Sequence, residues 1–225
     1  MEPFSSAWFS ALLAIVVIDI VLAGDNAIVI ALAARQLPPA LRRRAIVWGT
    51  VGAVIVRAAM TVGVVWLLRI PGLMLVGGLG LVWIAYKLLV PQDDDKAGHR
   101  DITGFWGAMK TIVVADALMG IDNVLGVAGA AHGAFDLVIA GLLISIPIVV
   151  WGSTLVLRLI ERFPAITFVG AGVLAYTAAH MIIAEPLLDG VFDQQPAARV
   201  VTYAGIVTGV LVAGWLAGRR RVEQA

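Results

Sequence analysis

The stretch DIVLAGDN, residues 19–26, has an echo in DALMGIDN, residues 116–123. Each copy gives an aspartate, then six positions later a second aspartate followed at once by asparagine. The first copy is Asp19, Asp25 and Asn26; the second is Asp116, Asp122 and Asn123. All three pairs are 97 positions apart, and the two asparagines are the only ones in the chain. Both copies sit inside long apolar runs, where a charge is most expensive.

Composition places those runs in a bilayer. Of 225 residues 61% are hydrophobic and 14% charged, with mean hydropathy +0.98. Soluble domains carry about 25% charged residues, so an all-α integral membrane protein is expected. The absence of cysteine excludes disulfides, thiolate metal sites and cysteine nucleophiles. The N-terminal MEPFSSAWFSALLAIVV lacks a basic n-region and a convincing cleavage site, and reads as a retained helix. No basic groove interleaved with exposed aromatics points to nucleic acid.

A span needs roughly 20 apolar residues, and the pattern predicts seven transmembrane helices. Their approximate limits are 7–34, 45–68, 71–91, 105–131, 135–160, 165–188 and 200–218. Lysines and arginines set the orientation. One side holds Arg35, Arg42, Arg43, Arg44, Lys87, Lys96, Arg100, Lys110, Arg158, Arg162, Arg219, Arg220 and Arg221; the other holds Arg69 and Arg199. That asymmetry puts the N-terminus outside and the C-terminus in the cytoplasm. Arg57 is left inside a helix.

The repeat extends past the aspartates. Arg69-Ile70-Pro71 ends the second helix and Arg162-Phe163-Pro164 the fifth. Gly77, Gly78 and Gly80 precede Ala85-Tyr86 in the third; Gly170 and Gly172 precede Ala175-Tyr176 in the sixth. Helices 1–3 (about 7–91) thus correspond to helices 4–6 (about 105–188), joined by a cytoplasmic loop at 92–104, with a seventh helix (about 200–218) appended. One transmembrane domain covers 1–225. Three helices per repeat is an odd number, so the second half is inserted upside down. Transporters built on such a 3+3 inverted repeat place substrate near the midplane between the repeats.

On a regular helix Asp19 and Asn26 share a face, as do Asp116 and Asn123, while Asp25 and Asp122 lie about 100–120° away. Gly24 and Gly120 weaken the helix beside the second aspartates, and local unwinding there would let both carboxylates of a copy converge. Irregular backbone at membrane depth is tolerated where it lines a cavity. Two such helices offer an acidic, all-oxygen pocket of four carboxylates and two amide oxygens. Oxygen ligands suit Mg²⁺, Ca²⁺ and Mn²⁺; with His99, His132 and His180 the only histidines, zinc or copper is less natural. An acidic residue at the bilayer centre costs about 2.5–3.5 kcal/mol, so four cost about 10–14 kcal/mol before pairing. Arg57 offsets one or two of them; protons or a cation must meet the rest, since packed like charges raise one another's pKa. The candidate metal residues are Asp25, Asn26, Asp122 and Asn123 first, with Asp19 and Asp116 as ligands or as supports behind them. The plainer alternative is a set of polar contacts bridging helices.

Other residues carry weaker signals. Arg57 is a charge partner of the acidic site or a structural ion pair. His180 relays protons or is a hydrogen-bonded core histidine. Tyr86 and Tyr176 read as packing, and the five repeat glycines as close helix contact. His132 and the Asp93-Asp94-Asp95 run read as solvated, and Lys87 as snorkelling to the inner headgroups. Trp8, Trp48, Trp66, Trp106 and Trp215 read as interfacial belts.

The segments DIVLAGDNAIVIALAARQLP, VGGLGLVWIAYKLL and DALMGIDNVLGVAGAA resemble the TerC family of integral membrane proteins. The likeness runs over essentially the whole chain and is strongest to the short seven-helix branch called YjbE-like metal transport proteins. The resemblance implies manganese efflux, cation homeostasis and, by the family's historical name, a link to tellurite resistance. It also implies that Asp19, Asp25, Asn26, Asp116, Asp122 and Asn123 are the functional residues. The two copies differ in that glycine directly precedes the second aspartate only in the first.

The expected function is a secondary transporter of a bacterial inner membrane. It would export Mn²⁺, or else Ca²⁺ or Mg²⁺, in exchange for protons, with no permanently bound cofactor and no enzymatic activity. The oligomeric state is open. A membrane partner that loads metal onto exported proteins is an alternative. An intramembrane aspartyl protease, with two aspartates as a proton-sharing dyad, is another, although Leu22-Ala23-Gly24-Asp25 departs from the Gly-x-Gly-Asp expected of one.

Overall fold

A computed structural model describes the backbone of residues 5–35, 37–67, 69–90, 100–131, 135–193 and 195–222. Side chains are described for these except 7, 20–23, 65, 100–103, 122–123, 125–131, 135 and 220–222. His99, His132 and the Asp93-Asp94-Asp95 run lie outside the described residues. The described chain is helical, without strands, in the order α1 (Ser6–Arg35), α2 (Pro39–Val62), α3 (Val64–Leu67), α4 (Leu73–Leu89), α5 (Arg100–Ala131), α6 (Phe135–Arg162), α7 (Ile166–Ile183), a 3₁₀ turn (Pro186–Leu188), α8 (Asp189–Phe192) and α9 (Pro196–Val222).

Local chemistry explains where these helices start and stop. Pro39 opens α2, because the first turn has no use for the missing N–H. The second helix therefore begins six residues before the expected 45, and Arg42, Arg43 and Arg44 ride on its first turns. Gly63 closes it. α5 likewise begins at Arg100, inside the expected 92–104 loop, and α7 ends at Ile183, ahead of Pro186. Five described helices are long and apolar enough to cross a membrane, and α1 makes a sixth when its two arms are taken together. α4, at 17 residues, is apolar but shorter.

α1 bends by 47° between Trp8–Asp19 and Gly24–Arg35. The expectation of unwinding at Gly24 and Gly120 is corrected here: α1 and α5 stay helical through both motifs, and the first bends instead. In an apolar medium every freed N–H and C=O needs a new partner, so bending is cheaper than unwinding.

Packing is interleaved. α1 lies along α6, α2 along α5 and α4 along α7, while α1 also crosses α5 and α9 rests on α4 and α7. The main apolar core runs from Val29–Ala34 of α1 through Leu81 and Ala85 of α4 to Ile112 and Ala115 of α5 and Leu174, Ala175 and Ala178 of α7. The α4–α7 seam is closed by glycine. A Cβ on Gly78 would lie 2.7 Å from the Ala178 carbonyl oxygen and one on Gly77 2.6 Å from Met181 Cε; one on Gly170 would lie 2.5 Å from Ile28 of α1. Gly80 is nearly as tight against Leu118, at 2.8 Å, but Gly172 has only ordinary contact with Leu211 at 3.9 Å, so the close packing expected of all five glycines does not hold for that one.

Polar contacts tie the two ends. At one, Arg42 pairs with Glu161, and Arg35 donates to the Thr167 hydroxyl. At the other, Trp8 Nε1 donates to Asp136 Oδ2 at 2.8 Å. Trp8 is 8% exposed and so is no belt residue; Trp48, Trp66, Trp106 and Trp215 are exposed. Gly72 adopts the left-handed conformation, φ 79°, and presents the first N–H groups of α4 to a buried Glu185. Its carboxylate accepts from Gly72 (2.9 Å), Met74 (3.1 Å) and Leu75 (3.3 Å).

Two substitutions probe these seams in detergent-purified protein. Gly78→Ala meets a backbone oxygen that cannot move aside, and should lose about 1–3 kcal/mol, whereas Gly107→Ala, with open space at its Cβ, should melt like the parent. Glu185→Ala strands the N–H groups of α4 and should cost about 1–2 kcal/mol, with Glu185→Gln falling between. Thermal unfolding reads both.

Candidate functional site

Arg57 sits near the end of α2, five residues before Val62, on a face that the α2–α5 and α1–α5 crossings close off; it is 5% exposed. Its guanidinium is shared between the two copies of the motif. Nη1 donates to Asp19 Oδ1 on α1 and Nη2 to Asp116 Oδ1 on α5. Asp19 and Asp116 are themselves 2% and 6% exposed. Side chains 38 and 59 residues apart in sequence thus meet in one buried ionic cluster. The planar guanidinium fork suits this role, because it offers two parallel donors at fixed separation. One guanidinium against two carboxylates leaves one negative charge in excess if both are ionised. Asp116 Oδ2 and Arg57 Nε are buried without a hydrogen-bond partner.

The second residues of the first motif lie further along α1. Asp25 is half-buried and accepts the Asn26 N–H through Oδ1 at 2.8 Å. Asn26 is 3% exposed, and neither atom of its amide has a partner. Thr50 of α2 is 2% exposed with its hydroxyl likewise unpartnered. The side chains of Asp122 and Asn123 lie outside the described residues. Among the described residues no group of three or more histidine, aspartate or glutamate side chains could hold a metal ion. The structure therefore brings Asp19, Asp116 and Arg57 together, and leaves Asp25 and Asn26 as a separate pair.

His180 is exposed on α7, and its Nδ1 lies 3.0 Å from the Tyr203 hydroxyl of α9. It is hydrogen-bonded, as one reading expected, but is not in the core. Tyr176 stacks on Tyr203 at 4.8 Å between ring centroids, a packing role. Thr50 escaped the sequence reading, although its position seven residues before Arg57 puts both on one helix face.

These features define a multi-pass helical membrane protein whose two halves meet at buried ionisable residues. Intramembrane charges of this kind mark ion or substrate pathways more often than scaffolding. The chain belongs to the TerC family: residues 4–222 match the integral membrane protein TerC family. It is 46% identical over 180 residues, 80% of this chain and 82% of the relative, to the uncharacterized membrane protein YjbE of Bacillus subtilis. It is 24% identical to the inner membrane protein YgdQ of Escherichia coli, over 79% of this chain and 81% of that protein. No solved structure matches.

Arg57→Met would leave Asp19 and Asp116 buried and uncompensated, and should destabilise by about 3–5 kcal/mol. Adding Asp19→Asn and Asp116→Asn should restore much of that loss. Unfolding of the single, double and triple variants in detergent gives the coupling directly.

Proposed function

We propose that this protein is a secondary transporter that exports a hard divalent cation, Mn²⁺ first and Ca²⁺ or Mg²⁺ as alternatives, in exchange for protons. The observation that carries the reading is the buried cluster in which Arg57 joins Asp19 of one motif copy to Asp116 of the other. Beyond it lie Asp25 and an Asn26 with unpartnered amide atoms. The pathway runs between α1 and α5, with Asp25, Asn26, Asp122 and Asn123 meeting the ion. Asp19 and Asp116 serve chiefly as the partners of Arg57.

The architecture proposed with it has seven spans, the short α4 included, in a 3+3 inverted repeat with α9 appended. The interleaved packing supports this: α1 on α6 and α5 on α2 are the same pairing with the halves exchanged, and α1–α5 and α4–α7 each pair a helix with its own counterpart. The charge asymmetry supports an outer N-terminus and a cytoplasmic C-terminus, in a bacterial inner membrane. A protease dyad fits less well: Arg57 donates to one oxygen of both Asp19 and Asp116, so a cation and not a shared proton meets their charge. The proposal is accordingly of a carrier and not an enzyme.

In sealed vesicles loaded with Mn²⁺, the reconstituted protein should release the ion with an opposing proton flux. Asp25→Ala and Asp122→Ala should each slow release by about 10–100-fold, the range typical of lost metal-site groups. Release at the parental rate from either variant refutes the assignment.

A further inference from the structure

Six serine and threonine hydroxyls in these helices behave alike. Ser10, Thr61, Thr111, Ser145, Ser153 and Thr154 each donate to the carbonyl four residues earlier, at 2.6–3.0 Å. That bond is the ordinary way to satisfy a hydroxyl in an apolar helix. Thr50, 2% exposed, is buried like Ser145 and Ser153 and does not make it. Its hydroxyl has been turned to a different use.

Position indicates which. Thr50 precedes Arg57 by seven residues, two turns of α2, so both lie on one face about 10 Å apart along the axis. Asn26 follows Asp19 by the same seven residues on α1. The connection between α1 and α2 spans residues 36–38, so the two helices run in opposite directions, and the Arg57–Asp19 pair sets them level. One step of two turns from that pair toward the 36–38 connection reaches Asn26 on one helix and Thr50 on the other. α5 walls this level, since Ile112 packs where a Cβ on Gly49, the residue next to Thr50, would lie. Asn26 remains 3% exposed despite the bend of α1. Asn26 and Thr50 are thus two buried polar side chains near one level, both without partners, with the half-buried Asp25 next to one of them in sequence.

We propose that Thr50, with Asn26 and Asp25, forms the station at which the transported hard divalent cation is held on the 36–38 side of the Arg57 cluster. This deepens the proposed function and rests on it. The Thr50 hydroxyl and the Asn26 amide oxygen are neutral oxygen donors, and Asp25 supplies the charge; hard cations take such mixed oxygen sets and keep part of their water. The Asn26 amide nitrogen, as a donor, suits a water carried by the ion. Thr50 is thus a binding residue of the pathway that lies outside both DN motifs.

The discriminating variant is Thr50→Val, which keeps the shape and removes the hydroxyl. In detergent without metal it should melt at or above the parent, because an unpartnered buried hydroxyl contributes no stability. Titrated with Mn²⁺, its affinity from the metal-induced melting shift should be about tenfold weaker, and in vesicles KM for Mn²⁺ should rise by the same factor. Thr50→Ser should restore both. Parental Mn²⁺ affinity in Thr50→Val overturns the proposal, as does a lowered metal-free melting temperature, which would reveal a structural partner for the hydroxyl. If Thr50→Val cannot be purified, Thr50→Ala is read by the same two criteria. A parent protein that shows no shift with Mn²⁺, Ca²⁺ or Mg²⁺ and no flux refutes the transporter reading itself. A parental shift that is lost in Asp25→Asn but kept in Thr50→Val refutes the Thr50 station alone.

Discussion

A single guanidinium holds two carboxylates at the centre of this protein, and the arrangement around it follows from that constraint. In hydrocarbon an ionised aspartate is tolerable only with a partner in contact. Arg57 supplies one donor to Asp19 and another to Asp116, so α2 cannot move away from α1 or α5 without stranding a charge. Lysine could not substitute well, since its point charge lacks the two parallel donors that span two separate carboxylates. The cluster is also incompletely satisfied, with Asp116 Oδ2 and Arg57 Nε unpartnered. A cluster that is tightly joined yet short of partners is suited to answering a change of charge nearby.

The remaining contacts distribute rigidity around that centre. Glycines let α4 and α7 approach until backbone meets side chain, and Glu185 of the segment after α7 caps the start of α4. Trp8–Asp136 ties α1 to α6 at one end, and at the other Arg42–Glu161 ties α2 to α6 and Arg35–Thr167 ties α1 to α7. Each of these ties joins the first half of the chain to the second. The bend of α1 falls between Asp19, locked to Arg57, and Asp25, which is only half-buried. One carboxylate of the first motif is therefore committed to structure, while the other stays available.

Much of this is legible in the sequence. Hydropathy located helices close to those observed, and the doubled DN motif named the helices that meet at the centre. The misses have physical causes. Glycine propensity at Gly24 points to unwinding, but the cost of unpaired backbone in an apolar medium favours a bend. The place of Trp8 near a helix end suggests an interfacial belt, but a distant Asp136 takes its indole N–H. The second helix starts earlier than the run Arg42, Arg43 and Arg44 suggests, because these residues resemble a loop but sit on the first turns of a helix that Pro39 opens.

What the sequence by itself determined is the membrane class, the helical periodicity and the presence of two equivalent acidic motifs, because these depend on composition and on spacings within one helix. Which carboxylates Arg57 takes was decided only by the tertiary structure. Its partners lie 38 residues before it and 59 after it, and no local spacing rule reaches so far. The same holds for Thr50, whose missing back-bond is invisible in sequence: a threonine in a helix has two rotamers open to it, and only the packing of neighbouring helices selects between them.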